Sequence, residues 1–363
     1  MTSERSAEVI YVTRKFPPSV GGMERLAADI AAQFDARFPI RLRALGRGQL
    51  HLFWWLPVSV VWLVLAIARS ERPAVVFGDP IVATCLGPFA RGAGTTMVVV
   101  HGLDLTYGLP GYRAVVRQAL KRIDRVVAIS RATADVAIEM GIEESCVEIV
   151  NPGVEIPPDP ASAEQVRERF GFGDDMVVLT TVGRLVPRKG VSWFVEHVLP
   201  ALPDRARYVV AGPGDPDTLR QLDEAIDLAG VRDRVTVAGR VDARTRELLL
   251  GGADIFVMPN LRLPGDMEGF GLVAAEATVR GTLVIASRLE GIVDALVDGA
   301  GGVLCEPGDE ATWVETVGTY VSDSELRSTR AEEFREVALT RFSLERLGDE
   351  LEALVAGPDV DCA

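Results

Sequence analysis

Two carboxylates stand out in the segment from Glu268 to Glu276, which reads EGFGLVAAE. Gly269 and Gly271 precede an apolar helical run, so we expect Glu268 at the start of a helix and Glu276 in its second turn. A rise of 1.5 Å per residue would stagger the two carboxylates by roughly 12 Å. That stagger suits a long ligand contacted at two points, since an acid and base acting on one bond lie about 5 to 10 Å apart.

The backbone at this predicted helix start is suited to an anion. The N–H groups of Gly269, Phe270 and Gly271 would point toward it, and the helix dipole favours negative charge there. A diphosphate fits such a site. The alternative is that Glu268 only caps the helix and that Glu276 lies on a solvated face.

A basic loop, GRLVPRKG, follows the predicted strand MVVLTTV and runs from Gly183 to Gly190. Arg184 and Lys189 would offer two positive charges to phosphate oxygens, whereas we expect Arg188 to face solvent. An ordinary solvated turn is the alternative. The functional interpretation gains support because this loop and the Glu268 helix both follow strand ends of one predicted domain.

The N-terminal half offers a glycine pair and a histidine. The segment PPSVGGME follows the first predicted strand, and Gly21 and Gly22 would let the backbone approach a phosphate closely. It is not GxGxxG, which argues against nicotinamide binding. His101 ends the strand TMVVVH, followed by Asp104 in HGLD, and could hydrogen-bond a sugar or base. The alternative is a buried structural histidine.

Short Val- and Ile-rich runs alternate with helical patterns along the chain, which is typical of parallel sheets built from βαβ units. The predicted strands begin near residues 9, 41, 74, 96, 125 and 147, and a second series begins near 176, 207, 234, 253, 282 and 302. The Pro-rich segment 151–163 separates the two series. We therefore predict an α/β protein of two doubly wound Rossmann-like domains with a cleft between them, spanning residues 1–155 and 156–340, and a C-terminal helix in 341–363 that crosses back to the first domain.

Charge and cysteine content exclude several classes of protein. A net charge of -14 and a pI near 4.8 disfavour nucleic-acid binding, which needs dense Lys and Arg. Four widely spaced cysteines show no zinc-binding spacing, and we expect free thiols in a reducing cytoplasm. The polar N-terminus lacks the pattern of a signal peptide. The DxD triplet DVD at Asp359 lies near the end of the sequence, and we predict no metal site and no cofactor.

The segment Leu52 to Ala68 is the one candidate for membrane contact. It has 17 residues with Pro57 and Ser59 inside, whereas a spanning helix needs about 20 apolar residues. One interpretation is a buried helix that leads into the next strand. The other is that its three tryptophans let this region rest on a membrane interface; they are Trp54, Trp55 and Trp62.

Six motifs together resemble glycosyltransferase family 4, in that family's order and over nearly the whole chain: PPSVGGME, HGLD, VVAISRAT, NPGVE, GRLVPRKG and EGFGLVAAE. The pair GRLVPRKG and EGFGLVAAE is the most specific part. The sequence departs from the commonest pattern at NPGVE, where many members read NGVD. The resemblance implies the GT-B fold and transfer of a sugar from a nucleotide diphosphate donor, with retention of configuration and without a metal ion.

The resemblance also implies roles for individual residues. Arg184 and Lys189 would bind the diphosphate, and Glu276 the ribose hydroxyls. Glu268 would contact the transferred sugar, helped by the N–H groups of Gly269, Phe270 and Gly271. From the other domain, Gly22 would lie against the phosphates and His101 would face the sugar.

Substrates remain open within this resemblance. GDP-mannose and UDP-glucose are both candidate donors, and a glycan or lipid-linked hydroxyl is the expected acceptor, in glycolipid or surface polysaccharide synthesis. We expect the protein in the cytoplasm, at the inner face of the membrane if the Leu52 segment makes contact. Two alternatives are a nucleotide-sugar epimerase or other GT-B relative, and a catalytically silent binding subunit; the retention of Arg184, Lys189 and Glu276 disfavours the silent subunit.

Overall fold

The computed structural model describes residues 8–19, 21–46 and 48–357. The first residues of the chain and the Asp359 triplet lie outside that part. The chain forms two compact units, Met1–Gly153 with Phe342–Ala363, and Val154–Arg341. The division falls at residue 153, two residues before the boundary expected from the sequence, and the last helix belongs to the first unit.

Each unit contains a six-stranded sheet in which all paired strands are parallel. The order is β2-β1-β3-β4-β5-β6 in the first sheet and β12-β11-β10-β7-β8-β9 in the second. The strands are β1 (Val9–Thr13), β2 (Ile40–Ala44), β3 (Ala74–Phe77), β4 (Thr95–Val100), β5 (Arg125–Ala128), β6 (Val147–Ile149), β7 (Val177–Val182), β8 (Ala206–Ala211), β9 (Val235–Gly239), β10 (Ile255–Met258), β11 (Leu283–Ser287) and β12 (Val303–Cys305).

The strands match the predicted series in both halves. The central strands β1 and β7 are buried along their whole length, because helices cover both faces of each sheet, whereas the edge strands β2 and β9 are only partly buried. Each sheet reverses its strand order once, beside β1 in the first unit and beside β7 in the second. Ligands of doubly wound sheets bind at such switch points, outside the carboxyl ends of the strands.

Helices connect the strands throughout. In chain order they are α1 (Gly22–Asp35), α2 (Leu52–Ile67), α3 (Pro80–Leu86), α4 (Leu103–Thr106), α5 (Tyr112–Leu120), α6 (Arg131–Glu139), α7 (Ala163–Phe170), α8 (Val191–Trp193), α9 (Pro216–Leu228), α10 (Ala243–Gly252), α11 (Leu272–Val279), α12 (Gly291–Ala295), α13 (Glu310–Ser322), α14 (Ser324–Arg341) and α15 (Leu344–Ala356). Short 3₁₀ turns cover 49–51, 87–89, 144–146, 187–189, 199–201 and 297–299, and a π-helical turn covers 194–198.

The final helix, α15, packs on α1 within the first unit. The guanidinium of Arg37 holds it there, donating to the Glu345 carbonyl at 3.1 Å and to Asp349 at 2.7 Å. Gly153 packs so closely on Leu344 that an added Cβ would lie 3.0 Å from its side chain. The C-terminal helix is therefore a part of the first unit's packing.

Helix α2 divides its apolar side chains between the core and solvent. Trp55 and Leu63 are buried, at 2% and 0% exposure, while Phe53 and Trp54 are 84% and 52% exposed. Trp62 packs partly against the core. The alternative in which all three tryptophans rest on a membrane interface is therefore wrong for Trp55, whereas Trp62 is only partly buried. Within the described residues, no helix has the length and apolar character to cross a membrane.

Three of the four cysteines lie in the described part of the chain, and Cys362 lies outside it. Cys85 and Cys305 are free thiols, the second of them buried, and burial raises the pKa of both thiols. Cys146 is disulfide-bonded. The expectation of four free thiols is therefore wrong for Cys146, because sequence spacing cannot show which distant cysteines meet.

Candidate active site

The loops after β7 and β10 meet at the switch point of the second sheet. Gly190 makes this approach possible, since its φ is +66° and an added Cβ would lie 1.8 Å from the Pro259 carbonyl oxygen. Only glycine tolerates both conditions. The Leu261 N–H donates to the Arg188 carbonyl at 2.8 Å. The basic loop is therefore fixed against the segment that leads to Glu268.

Glu268 is the centre of a buried charge cluster. Its Oε2 accepts hydrogen bonds from Lys189 Nζ at 2.5 Å, from Asn260 Nδ2 at 3.0 Å and from Arg188. The three charged side chains are only 13 to 15% exposed. Arg188 also pairs with Asp266, its Nε at 3.1 Å. The prediction that Arg188 faces solvent is wrong, because Glu268 and Asp266 draw its guanidinium inward.

The cluster perturbs the ionisation of its members. Burial alone would raise the pKa of Glu268, but Lys189 and Arg188 outweigh it and lower that pKa to about 2. Burial lowers the pKa of Lys189, with Arg188 and Arg184 acting in the same direction and Glu268 opposing them. Arg184 is exposed and, among the residues described, has no hydrogen bond or ion pair. Among the three cations of this loop, Arg184 is therefore the most accessible to an external anion.

Helix α11 begins later than the sequence indicated. Its first residue is Leu272 and its N-cap is Gly271, with φ +81°. Glu268, Gly269 and Phe270 therefore lie in the loop before the helix, which corrects the prediction that Glu268 starts it. The side chain of Phe270 is buried, at 3% exposure. This loop, rather than a first helical turn, carries the carboxylate and the backbone N–H groups.

Glu276 lies in the second turn of α11, as expected, but its setting differs from a solvated face. Its side chain is 2% exposed and its Oε2 accepts from Arg246 of α10. Arg280 donates to the Glu276 carbonyl and pairs with Glu247, each at 2.8 Å. The ribose contact implied by the resemblance remains a prediction, now with Arg246 beside it.

The first unit places His101 directly after β4. Its backbone N–H donates to both oxygens of Asp104, at 2.9 and 3.1 Å, and its Nδ1 lies 3.0 Å from Asp104 Oδ2. A carboxylate only accepts, so Nδ1 carries the proton and Nε2 is left for another partner. The side chains are 7% and 6% exposed. The Tyr112 hydroxyl donates to the Asp104 carbonyl at 2.8 Å, and this hydrogen bond also helps to hold the segment 101–104 in place.

The switch point of the first sheet holds the predicted glycine loop. Gly22 is the first residue of α1, and an added Cβ there would meet no atom within 4 Å. Open space over this backbone is compatible with a close ligand, which stays a prediction. A cavity beside the loop is lined by polar and apolar side chains: Arg14, Lys15, Ser19, Glu24, Leu45, Gly48 and Leu52. Arg14 pairs with Asp79 at 3.0 Å and Lys15 with Glu24 at 3.2 Å.

The structure thus joins Lys189 and Glu268 directly, while Glu276 contacts a separate arginine. Sequence reasoning missed Asn260 and Arg246. Asn260 carried a usable signal, because a polar residue after a buried strand marked His101 in the same way. Arg246 lies inside a helix with other charged residues, and no sequence pattern singled it out. Within the described residues, no three His, Cys, Asp or Glu side chains gather as a metal site.

Comparison with known proteins agrees with this architecture. The family model described as Glycosyltransferase Family 4 matches residues 8–156, and the one described as Glycosyl transferases group 1 matches residues 177–323. A "GDP-mannose-dependent alpha-(1-6)-phosphatidylinositol monomannoside mannosyltransferase" of Mycolicibacterium smegmatis is 31% identical over 303 residues, covering 80% of this chain and 78% of the relative.

Two further similarities extend this result. A "D-inositol 3-phosphate glycosyltransferase" of Salinispora arenicola is 30% identical over 326 residues, covering 84% of this chain and 67% of the relative. The crystal structure of Anabaena HepE in complex with UDP and glucose has a TM-score of 0.80 at 18% identity, covering 96% of this chain and 99% of HepE. This protein therefore belongs to glycosyltransferase family 4 and is a glycosyltransferase with the GT-B fold.

Proposed function

We propose that the protein transfers mannose from GDP-mannose to a hydroxyl of an acceptor that contains inositol and phosphate, with retention of configuration and without a metal ion. Names of relatives support the substrates: one is called a GDP-mannose-dependent phosphatidylinositol monomannoside mannosyltransferase and another a D-inositol 3-phosphate glycosyltransferase. UDP-glucose is the competing donor, since HepE was crystallised with UDP and glucose.

The cluster at the second switch point is the observation that carries the proposal. Arg184 offers an exposed charge, and Lys189 is held close behind it against Glu268. As the bond to the sugar breaks, negative charge develops on the leaving diphosphate, and fixed cations stabilise that charge more than the ground state. Two cations on one loop therefore suit departure of a nucleoside diphosphate.

Glu268 fits a contact with the sugar rather than a proton-transfer role. With its pKa lowered to about 2 by Lys189 and Arg188, it stays ionised at neutral pH and has no proton to give. An ionised carboxylate accepts hydrogen bonds from sugar hydroxyls. Glu268 and Glu276 are each paired with a cation, so we expect the leaving phosphate to help deprotonate the acceptor, which gives retention. The anomeric configuration of the product, read by NMR, tests this step.

A matrix of donors and acceptors tests the substrates. Purified protein is incubated with GDP-mannose, UDP-glucose or other nucleotide sugars, each with phosphatidylinositol mannoside, D-inositol 3-phosphate or no acceptor. We expect product from GDP-mannose with an inositol acceptor, identified by mass spectrometry. Product from UDP-glucose alone would overturn the donor assignment. An altered nucleotide sugar formed without acceptor would favour the epimerase alternative.

Metal independence has its own test. Mg²⁺ sites on diphosphates use carboxylate ligands together with substrate oxygens, whereas here Arg184 and Lys189 supply the charge. We expect the initial rate with EDTA to equal the rate without it. Loss of transfer in EDTA, restored by Mg²⁺ or Mn²⁺, would show that the two cations do not replace a metal.

We also propose that α2 rests on the cytoplasmic face of a membrane through its exposed side chains. Leu50, Phe53 and Val61 are 85%, 84% and 61% exposed on or beside this helix. Burying exposed aromatic and aliphatic side chains favours binding to a lipid interface. Phe53→Ser should reduce sedimentation with phosphatidylinositol-containing vesicles, whereas Leu228→Ser, at a residue also 85% exposed but in the second unit, should not. Equal sedimentation of both variants would reject the contact.

A further inference from the structure

Glu290 has a backbone conformation that side chains rarely adopt. Its φ is +48° and its ψ is -134°, a combination that favours glycine. Asp298 also has φ +48°, but its ψ of +40° lies in the ordinary left-handed region. Strain of the kind seen at Glu290 persists where the surrounding structure holds it, and such residues cluster at functional sites.

The strained residue directs its side chain onto the loop that carries Glu268. One carboxylate oxygen of Glu290 accepts the Glu268 N–H at 2.5 Å, and the N–H of Gly291 donates to the Glu268 carbonyl at 3.2 Å. Gly291 lies so close that an added Cβ would be 2.0 Å from the Gly269 carbonyl oxygen. Residues 290 and 291 therefore hold the peptide groups on both sides of Glu268.

The charges around Glu290 make this arrangement costly to maintain. The side chain is half-buried, and burial raises the pKa of its carboxyl group, with Glu268 acting in the same direction. The Glu268 N–H, Arg262 and Arg188 oppose that rise. A second carboxylate beside Glu268 and a strained backbone are both unfavourable, so their combination at one residue calls for a compensating role.

We propose that Glu290 is a positioning residue: its hydrogen bond to the Glu268 N–H fixes the loop 268–271 in the conformation that contacts the donor sugar. This inference rests on the proposed function of Glu268. Glu290 acts through the loop and does not need to touch substrate. Misplacing a catalytic group by about 1 Å can cost roughly 100-fold in rate, so a hydrogen bond that orders this loop affects turnover directly.

Glycine substitution separates positioning from stability. Glu290→Gly removes the acceptor and also relieves the strain, so the melting temperature should stay equal or rise. We expect kcat to fall by about 10- to 100-fold. Asp298→Gly is the matched control, because it relieves a positive φ in the same unit at a side chain that is 75% exposed and pairs only with Arg288 in the described structure. It should leave kcat unchanged. Wild-type kcat in Glu290→Gly would overturn the proposal.

Hydrogen exchange supplies a readout that does not depend on activity. In Glu290→Gly the amide of Glu268 should exchange faster than in wild type, while amides of the β11 strand keep their protection. In Glu290→Gln the side-chain carbonyl can still accept the hydrogen bond, so slow exchange and most of kcat should be retained. Unchanged Glu268 exchange in Glu290→Gly would overturn the proposal. If wild type transfers no sugar, the proposed function fails, whereas the exchange result still decides the role of Glu290.

Discussion

Two sites at the ends of strands each contain a basic side chain that is hydrogen-bonded to a carboxylate. In one site the carboxylate lies close in the sequence, and in the other it lies far away. In the first unit His101 meets Asp104, three residues away, at 3.0 Å. In the second unit Lys189 meets Glu268, which is 79 residues away, at 2.5 Å. Asp104 serves a single histidine, whereas Glu268 is shared by Lys189, Arg188 and Asn260.

The two sites also differ in the charged groups that they contain. In the first unit the His101 ring pairs with the Asp104 carboxylate, and Nε2 of the ring is left for another partner. The second-unit cluster is surrounded by cations, and Arg184 extends it with a charge that faces solvent. A site that stabilises a leaving diphosphate needs such cations. Loss of a charge should therefore matter more in the second unit than in the first.

The largest effect is expected from the basic loop. Lys189→Ala and Arg184→Ala should each reduce turnover by about 100- to 1,000-fold, because removing a donor to developing charge costs about 3 to 4 kcal/mol. Their stabilities should differ. Arg184 is exposed, so its loss should change the free energy of unfolding by less than about 0.5 kcal/mol. Loss of Lys189 removes one partner of buried Glu268 and should cost about 1 to 3 kcal/mol.

Steady-state rates and denaturant unfolding of the two variants check this pair of outcomes. Arg207→Ala is a suitable control, since its side chain contacts only backbone carbonyls in the described structure. Near wild-type turnover in both loop variants would remove the diphosphate role. Equal destabilisation by both would mean that the distinction between an exposed and a buried cation is wrong.

Acid stability should test the charge cluster around Glu268. The folded-state pKa of Glu268, about 2, is below the usual 4.5 because Lys189 and Arg188 outweigh burial. Its contribution is therefore complete above about pH 4.5 and is lost as pH falls toward 2, by up to about 3 kcal/mol. Unfolding at pH 6 and pH 3 should show a smaller loss in Glu268→Gln than in wild type. Glu224→Gln, at an exposed carboxylate, should behave as wild type; a wild-type slope in Glu268→Gln would refute the assignment.

A somewhat smaller effect is expected at Glu276. If its carboxylate binds the ribose, Glu276→Ala should weaken binding of free GDP by roughly 1.5 to 3 kcal/mol. The variant also leaves Arg246 without its buried partner, so Arg246→Ala is the necessary comparison: it should perturb stability with less effect on GDP. Calorimetric titration measures both. Unchanged GDP affinity in Glu276→Ala would exclude the ribose contact.

Sequence reasoning reached the fold and the positions of most site residues, but not their partners. The twelve strands follow from local runs of apolar residues, and His101 with Asp104 is a local pair. Arg188 was expected in solvent because its partners, Asp266 and Glu268, lie far along the chain. Such contacts depend on which strands become neighbours, here β7 and β10, and no local pattern specifies that.

The same limit applies to backbone conformation. Glu290 has the residue type of a surface position, and its positive φ accompanies the close packing of Gly291 on the Glu268 loop. The start of α11 was placed too early because two glycines in EGFG fit a helix cap as well as a loop. Helix ends are decided by cap geometry, and here the cap is Gly271.

The smallest effect in this comparison is expected at Asp104. Asp104→Asn keeps the size of the side chain but can present an N–H instead of an oxygen to Nδ1 of His101, so the ring loses its fixed tautomer. One hydrogen bond of this kind is worth about 1 kcal/mol, which corresponds to roughly a fivefold fall in kcat.

The double-mutant cycle with His101→Asn decides whether the two residues act together. If Asp104 works only by orienting His101, the double variant should be no slower than His101→Asn alone, because the second change has nothing left to disturb. The rates of wild type, both single variants and the double variant supply the cycle. Additive losses would mean that Asp104 stabilises the local structure around α4 independently of His101. A loss in Asp104→Asn as large as that in Lys189→Ala would overturn the contrast itself, since it would make a local histidine–carboxylate pair as important as the cationic cluster.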